Sequence, residues 1–218
     1  MKTGGRTASF TLRDVIEAGT RIGLERLSMQ GVADALGVTT AAVYRHVPSR
    51  SALESLVGEA ILDELTLVDD PAEPAAAHLA SFALQLRRFT LSRPGTAQYM
   101  QRLFPRGPSG LRLLEHQINA LGRRGYDPPA AVALSSAVAT LAIGATVAEQ
   151  ERAALLGTPA VEEALAVMAG SELLRQAGAG IPAHTPEDYF VFMLTAAAEG
   201  LVAQLPPGRP LPIPQAAP

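Results

Sequence analysis

Proline and glycine cut this chain into pieces of helical length, and that constrains its fold more than any other feature. The breaks "SRPG", "FPRGPSG", "RRGYDPP" and "GAGIPAHTP" separate segments at about 74–92, 95–104, 109–124, 128–156, 160–177 and 186–204. Four shorter segments precede the break "VDDPAEPAAA". Within the segments, apolar residues recur at three- and four-residue intervals, and no stretch alternates as a half-buried strand does. An all-α fold follows, with one domain at 1–68, a larger helical domain at 69–205 and a Pro-rich, extended or disordered tail at 206–218. With 48% of its residues apolar, the chain can bury a sizeable core. Cysteine is absent, which excludes disulfides, thiolate metal sites and a cysteine nucleophile and fits a reducing cytoplasm. The N-terminus lacks the apolar run of a signal peptide.

The first domain has the clearest local signals. Thr11 and Asp14 have capping-box spacing, and Val15, Ile16, Gly19, Ile22 and Leu27 follow on one helical face. Ser28 can cap a helix over Met29–Leu36, with Val32, Ala33 and Leu36 facing inward and Gly37 as its stop. Thr39 can cap a third helix ending near Val47, since Pro48 disfavours helical geometry just before it. A fourth starts after Ser49 or Ser51 and runs to about Leu67.

Residues 28–47 therefore have the layout of a helix-turn-helix. Val43 and Val47 commit one face of its second helix to the core. Thr39, Thr40, Ala41, Tyr44, Arg45 and His46 are left largely off that face. Thr40 and Ala41 suit thymine methyls and Arg45 suits guanine, while Tyr44 and His46 suit phosphate oxygens. Each also has a plainer reading: Tyr44 as a half-buried aromatic, His46 and Arg45 as ordinary surface groups. Charge is distributed accordingly. Residues 1–50 hold seven basic and four acidic side chains, a surplus of +3, and the remaining 168 residues carry −6.

The stretch "LSMQGVADALGVTTAAVYRHVPSRSALESLV", residues 27–57, resembles the DNA-binding domain of the TetR family of transcriptional regulators, and most closely the tetracycline-repressor branch. The resemblance puts Thr40, Ala41, Ala42, Tyr44, Arg45 and His46 on DNA-touching positions of the recognition helix. It puts Gln30 on a base-contacting position of the preceding helix and Arg50 on a phosphate-contacting one. Arg6, on the N-terminal arm, could reach a minor groove. Pro48 departs from the pattern, since many members carry a polar or basic residue there.

Residues 110–153 look more weakly like the regulatory domain of the same branch. That likeness implies a homodimer formed by the helices at about 128–156 and 186–204, through Ala137, Leu141, Gly144 and Ala148 and through Ala196, Ala197 and Gly200. It implies a small apolar or amphipathic effector held among Phe82, Leu86, Phe89, Gln98, Gln101, Phe104, His116 and Asn119, most of which would serve equally well as core. A helix near 95–104 pressing on the fourth helix would link effector to DNA. The partners implied are double-stranded operator DNA, an effector and a second copy, without a cofactor or membrane.

The uncharged run Pro128–Ala148 is long enough to cross a bilayer, but it is rich in Ala, Ser, Thr and Gly and lacks flanking anchors, which favours a buried helix. His78, His116 and His184 show no metal-ligand spacing. Asp69-Asp70 and Glu162-Glu163 read as solvated faces, and no nucleophile elbow, phosphate loop or dinucleotide fingerprint is present. An enzyme is not expected. A helical ligand-binding protein with a vestigial head is the alternative to a regulator.

Overall fold

Short polar side chains begin the helices where the sequence places them. The computed structural model describes residues 10–103 and 107–211, and among these every regular element is helical. Thr11 and Asp14 close a reciprocal capping box at the start of α1, Leu12–Ile22. A 3-10 turn at Leu24–Arg26 follows, then α2, Met29–Leu36, capped by Ser28. Gly37 adopts φ 66° ψ 33°, a left-handed conformation that L side chains rarely tolerate, and turns the chain into α3, Thr40–Tyr44. The remaining helices are α4 (Arg50–Asp63), α5 (Ala75–Leu91), α6 (Thr96–Leu103), α7 (Pro108–Gly122), α8 (Pro128–Leu155), α9 (Pro159–Ala169), α10 (Glu172–Ala179) and α11 (Pro186–Gln204). Arg6, Phe104 and residues 212–218 of the tail lie outside the described residues.

Three boundaries differ from the sequence reading, one being α4, which stops at Asp63 rather than near Leu67. α3 ends at Tyr44 rather than near Val47, with Arg45 and His46 in a closing turn whose amides reach the carbonyls of Ala42 and Val43. The segment expected at 160–177 is two helices, because Gly170 terminates α9 and the Ser171 hydroxyl accepts from the Leu174 amide to start α10.

The chain divides into two units. One holds the chain to Leu67 together with Phe89–His116, and the other holds Val68–Arg88 and the chain from Gln117 onward. In the first, α1 and α4 approach closely at Gly19, where a Cβ would lie 2.5 Å from Val57 Cγ2. Val15, Val32, Val43, Val47, Leu53 and Val57 are fully buried there. The sequence reading gives residues 69–205 to the second domain and 206–218 to a tail, whereas Phe89–His116 group here with the chain to Leu67. α6 and the first half of α7 belong with the helix-turn-helix, because their side chains seat on α4. The Tyr99 ring covers Gly58, where a Cβ would lie 2.2 Å from Cζ. Glu59 accepts from the Ser109 amide at 3.0 Å. Arg112 donates to the carbonyls of Leu62, Asp63 and Leu65, which caps the end of α4.

The second unit is built on α8. Asp127 caps it, Pro128 opens it, and Leu134, Val138, Ala142 and Ile143 are among its buried residues. It is long and apolar enough to cross a membrane, yet 56% of its most apolar window is buried within the protein. Arg87, 5% exposed, donates to both oxygens of Glu149 and to Glu187, and its guanidinium lies 5.4 Å from the Phe190 ring centroid. One residue therefore ties α5 to α8 and α11.

Asp69 is a further correction. Its side chain is 4% exposed, not a solvated face. Arg124 donates to it at 2.7 Å and to the carbonyls of Asp70, Glu73 and Ala120; Arg123 also donates to it. Burial alone would raise the Asp69 carboxyl, but the two guanidiniums and the nearby His78 outweigh it and hold the group well below the usual carboxylate range. His78, 1% exposed, faces Asp69 at 2.9 Å through Nδ1 and Gln117 at 3.0 Å through Nε2. Burial pushes its ring below the ordinary histidine range, against the Gln117 and Asp69 contacts that favour the charged form. Asp70 is exposed, as expected.

Candidate nucleic-acid interface

α3 has only five residues, so its position depends on what its inner face buries. Val43 and Val47 are fully buried and Ala42 is 6% exposed. Burying side chains of this size is worth about 1.5–3 kcal/mol for each valine, enough to hold a short helix that could not stand alone. Ala42, expected on a DNA-touching position, is buried beside the valines rather than on the exposed polar surface.

Thr39, Ala41, Tyr44, Arg45 and His46 are exposed and Thr40 half-buried, which leaves one polar surface on α3 and its closing turn. Tyr44 is 49% exposed, large for an aromatic residue beside a core, and this favours a partner for its hydroxyl over the plain core reading. Arg50, exposed at the start of α4, stands two residues past Pro48.

Three contacts at this surface were not foreseen. The His46 ring packs on Phe10, with centroids 4.6 Å apart and planes tilted by 52°. The Thr40 hydroxyl donates to Gln30 Oε1 at 2.6 Å. Gln30 Nε2 donates in turn to Asp34 Oδ1 at 2.7 Å. The four-residue spacing of Gln30 and Asp34 on one helix signals the last of these. The first two join residues across a turn or further apart, where sequence spacing carries no signal.

With this geometry in view, comparison with known proteins is informative. The structure superposes on ActR of Streptomyces coelicolor in complex with actinorhodin with a TM-score of 0.73 at 24% identity, covering 91% of this chain and 100% of ActR. TetR from Acinetobacter baumannii AYE matches with a TM-score of 0.63 at 23% identity, over 90% and 98% of the two chains. The fold is that of the TetR-family regulators. An HTH-type transcriptional regulator of Saccharopolyspora erythraea is 28% identical over 134 residues, which is 62% of this chain and only 57% of that protein's length. No family model matches the chain.

Other predicted site residues of this TetR-fold chain are less gathered. Phe82 and Leu86 in the second unit and Phe89 in the first are packed core, at 3%, 1% and 9% exposure, rather than walls of an open pocket. Gln101 and Asn119 face solvent, while Gln98 and His116 are half-buried. Two cavities are present, and of the predicted pocket residues Gln98 lines the first. One, of about 690 Å³ in the first unit, is lined by Arg50, Glu54, Gln98 and Arg102 among others. The other, of about 650 Å³ in the second unit, is lined mainly by apolar residues of α8 and α11, including Ala145, Ala148, Tyr189 and Phe190.

Of the residues expected at a dimer interface, Leu141, Ala196 and Gly200 are exposed and Ala137, Gly144, Ala148 and Ala197 half-buried. Tyr189, Val191 and Phe192 on α11 are also exposed, Phe192 at 70%, and the sequence reading omitted them. α9 and α10 bury no residue, although they carry Leu165, Val167, Met168, Leu173 and Leu174. Among the described residues no group of His, Asp or Glu is placed to hold a metal ion.

Proposed function

We propose that this chain is a TetR-like one-component transcriptional regulator, a cytoplasmic repressor that binds a palindromic operator as a homodimer and is released by a small apolar or amphipathic effector. The observation that carries the reading is the division of α3. Its inner face is buried, while Ala41, Tyr44, Arg45 and His46 are exposed together on one polar surface, with the His46 ring braced on Phe10. A helix so presented fits the major groove, with Thr40, Ala41 and Arg45 toward bases and Tyr44, His46 and Arg50 toward phosphates. The TetR fold and the sequence match to a regulator support the same assignment.

Homodimerisation is supported by the exposed apolar faces of α8 and α11 and by the unburied side chains of α9 and α10, since contiguous apolar surface of this kind marks an interface. Regulation by a ligand is supported by the solved complexes of ActR with actinorhodin and of a TetR variant with minocycline. A link from ligand to DNA through α6 is supported by the seat of Tyr99 on α4. The ActR structures superpose with higher TM-scores than TetR, so assignment to the tetracycline-repressor branch rests on the motif at 27–57 alone.

The test combines a thermal-shift ligand screen with gel-shift assays on DNA upstream of the chain's own gene. A stabilising ligand is expected to release a salt-sensitive, sequence-selective complex. If ligands bind with no DNA complex under any condition, the chain is a ligand-binding protein with a vestigial head.

A further inference from the structure

The hydrogen bonds joining Asp34, Gln30 and Thr40 constrain more than the fold. Gln30 Nε2 donates to Asp34 Oδ1 at 2.7 Å, and Gln30 Oε1 accepts from Thr40 Oγ1 at 2.6 Å. The orientation of the amide follows from its neighbours' chemistry. An ionised carboxylate only accepts, so the amide nitrogen must face Asp34 and the amide oxygen must face α3. The Thr40 hydroxyl then spends its single hydrogen on Gln30.

What remains for a partner is one Gln30 N–H, one lone pair on Gln30 Oε1, the lone pairs of Thr40 Oγ1 and the second oxygen of Asp34. Acceptors outnumber donors, and one of them carries a full negative charge. In the major groove the complementary groups are exocyclic amines, cytosine N4 and adenine N6; guanine O6 and N7 and thymine O4 are acceptors that Asp34 repels.

We infer that Asp34 is a positioning residue which, through Gln30 and Thr40, turns an accepting face toward a single exocyclic amine, adenine N6 or cytosine N4, and so sets the base-pair preference at one position of each operator half-site. The inference rests on the regulator reading above. It adds a residue that does not itself lie on α3 and predicts a specificity that an unanchored glutamine, free to turn its amide, would not have.

The experiment is selection from random duplex DNA with the full chain, followed by position-by-position affinities, for wild type, Asp34→Asn, Thr40→Val and Gln30→Ala. Wild type is expected to restrict one position per half-site to a single base pair, and the selected pair names the amine, adenine N6 in A·T and cytosine N4 in G·C. Asp34→Asn is nearly isosteric but lets the amide turn, so preference at that position should fall roughly tenfold while the other positions keep theirs. Thr40→Val and Gln30→Ala should relax the same position. Thermal melts should be unchanged, since all three side chains lie at the surface of α2 and α3. The inference is overturned if Asp34→Asn leaves every preference intact or if it shifts affinity uniformly across sequences. A wild-type protein that selects no sequence removes the regulator reading and this inference together, whereas a selected motif indifferent to Asp34 removes only this one.

Discussion

At the scale of single residues, burial and contact divide a short polar patch into separate jobs. Val43 and Val47 anchor α3, and Tyr44, Arg45 and His46 are left outside. Tyr44→Phe and His46→Ala are expected to weaken operator binding by about tenfold each, the scale of a lost hydrogen bond to a charged group, with almost no change in melting temperature. Filter binding and a thermal melt on the same samples check this. A large stability loss without a binding defect would return Tyr44 to the plain role of a core aromatic. Much of this patch was legible in the sequence, because the i, i+4 spacing of the valines already decides which side chains turn away. The burial of Ala42 was not legible, since a resemblance carries over positions and not burial. The Phe10–His46 contact was illegible because it joins the residues just before α1 to the turn after α3, far apart in the chain.

At the scale of elements, the caps were readable and the long-range seats were not. Thr11, Ser28, Gly37 and Asp127 act within a few residues of themselves, so their chemistry shows in local sequence. That α6 belongs with the helix-turn-helix depends on Tyr99 meeting Gly58, residues 41 apart. Gly58→Ala places a methyl group into that ring and should cost about 1–3 kcal/mol, the usual penalty for overpacking, measured by urea denaturation. In a Tyr99→Ala background, where the ring is gone, the same Gly58→Ala change should cost little.

The connector after α4 offers a second test. Asp69→Asn removes one partner of a buried ionic network and should destabilise by about 3 kcal/mol. Both titrating groups there favour higher pH. Asp69 is held below its ordinary range, so its contribution is present above that range and lost as pH falls toward the folded value. His78 is likewise lowered, so protonation below its ordinary 6.5 costs folding stability. Stability should therefore fall on acidification from pH 7, and Asp69→Asn should flatten the acid limb below pH 4. Denaturation midpoints against pH check both. The sequence reading took Asp69 for a solvated face because Arg123 and Arg124, which bury it, stand 54 and 55 residues away.

At the scale of the whole molecule, the account requires two copies on one operator. Leu141, 46% exposed, and Phe192, 70% exposed, lie on the faces proposed to meet a second copy. Leu141→Arg with Phe192→Asp should give a folded monomer by sedimentation and abolish high-affinity operator binding. A dimer unchanged by both would move the interface elsewhere. The central claim is sequence-selective DNA recognition by α3. The most direct measurement is selection of the intact wild-type protein against random duplex DNA, followed by affinity for the selected sequence across a range of salt. The account predicts an inverted repeat with half-sites about one helical turn apart and an affinity that falls steeply with salt. Recovery of unselected sequence, with no repeat and no preference over bulk DNA, would contradict it.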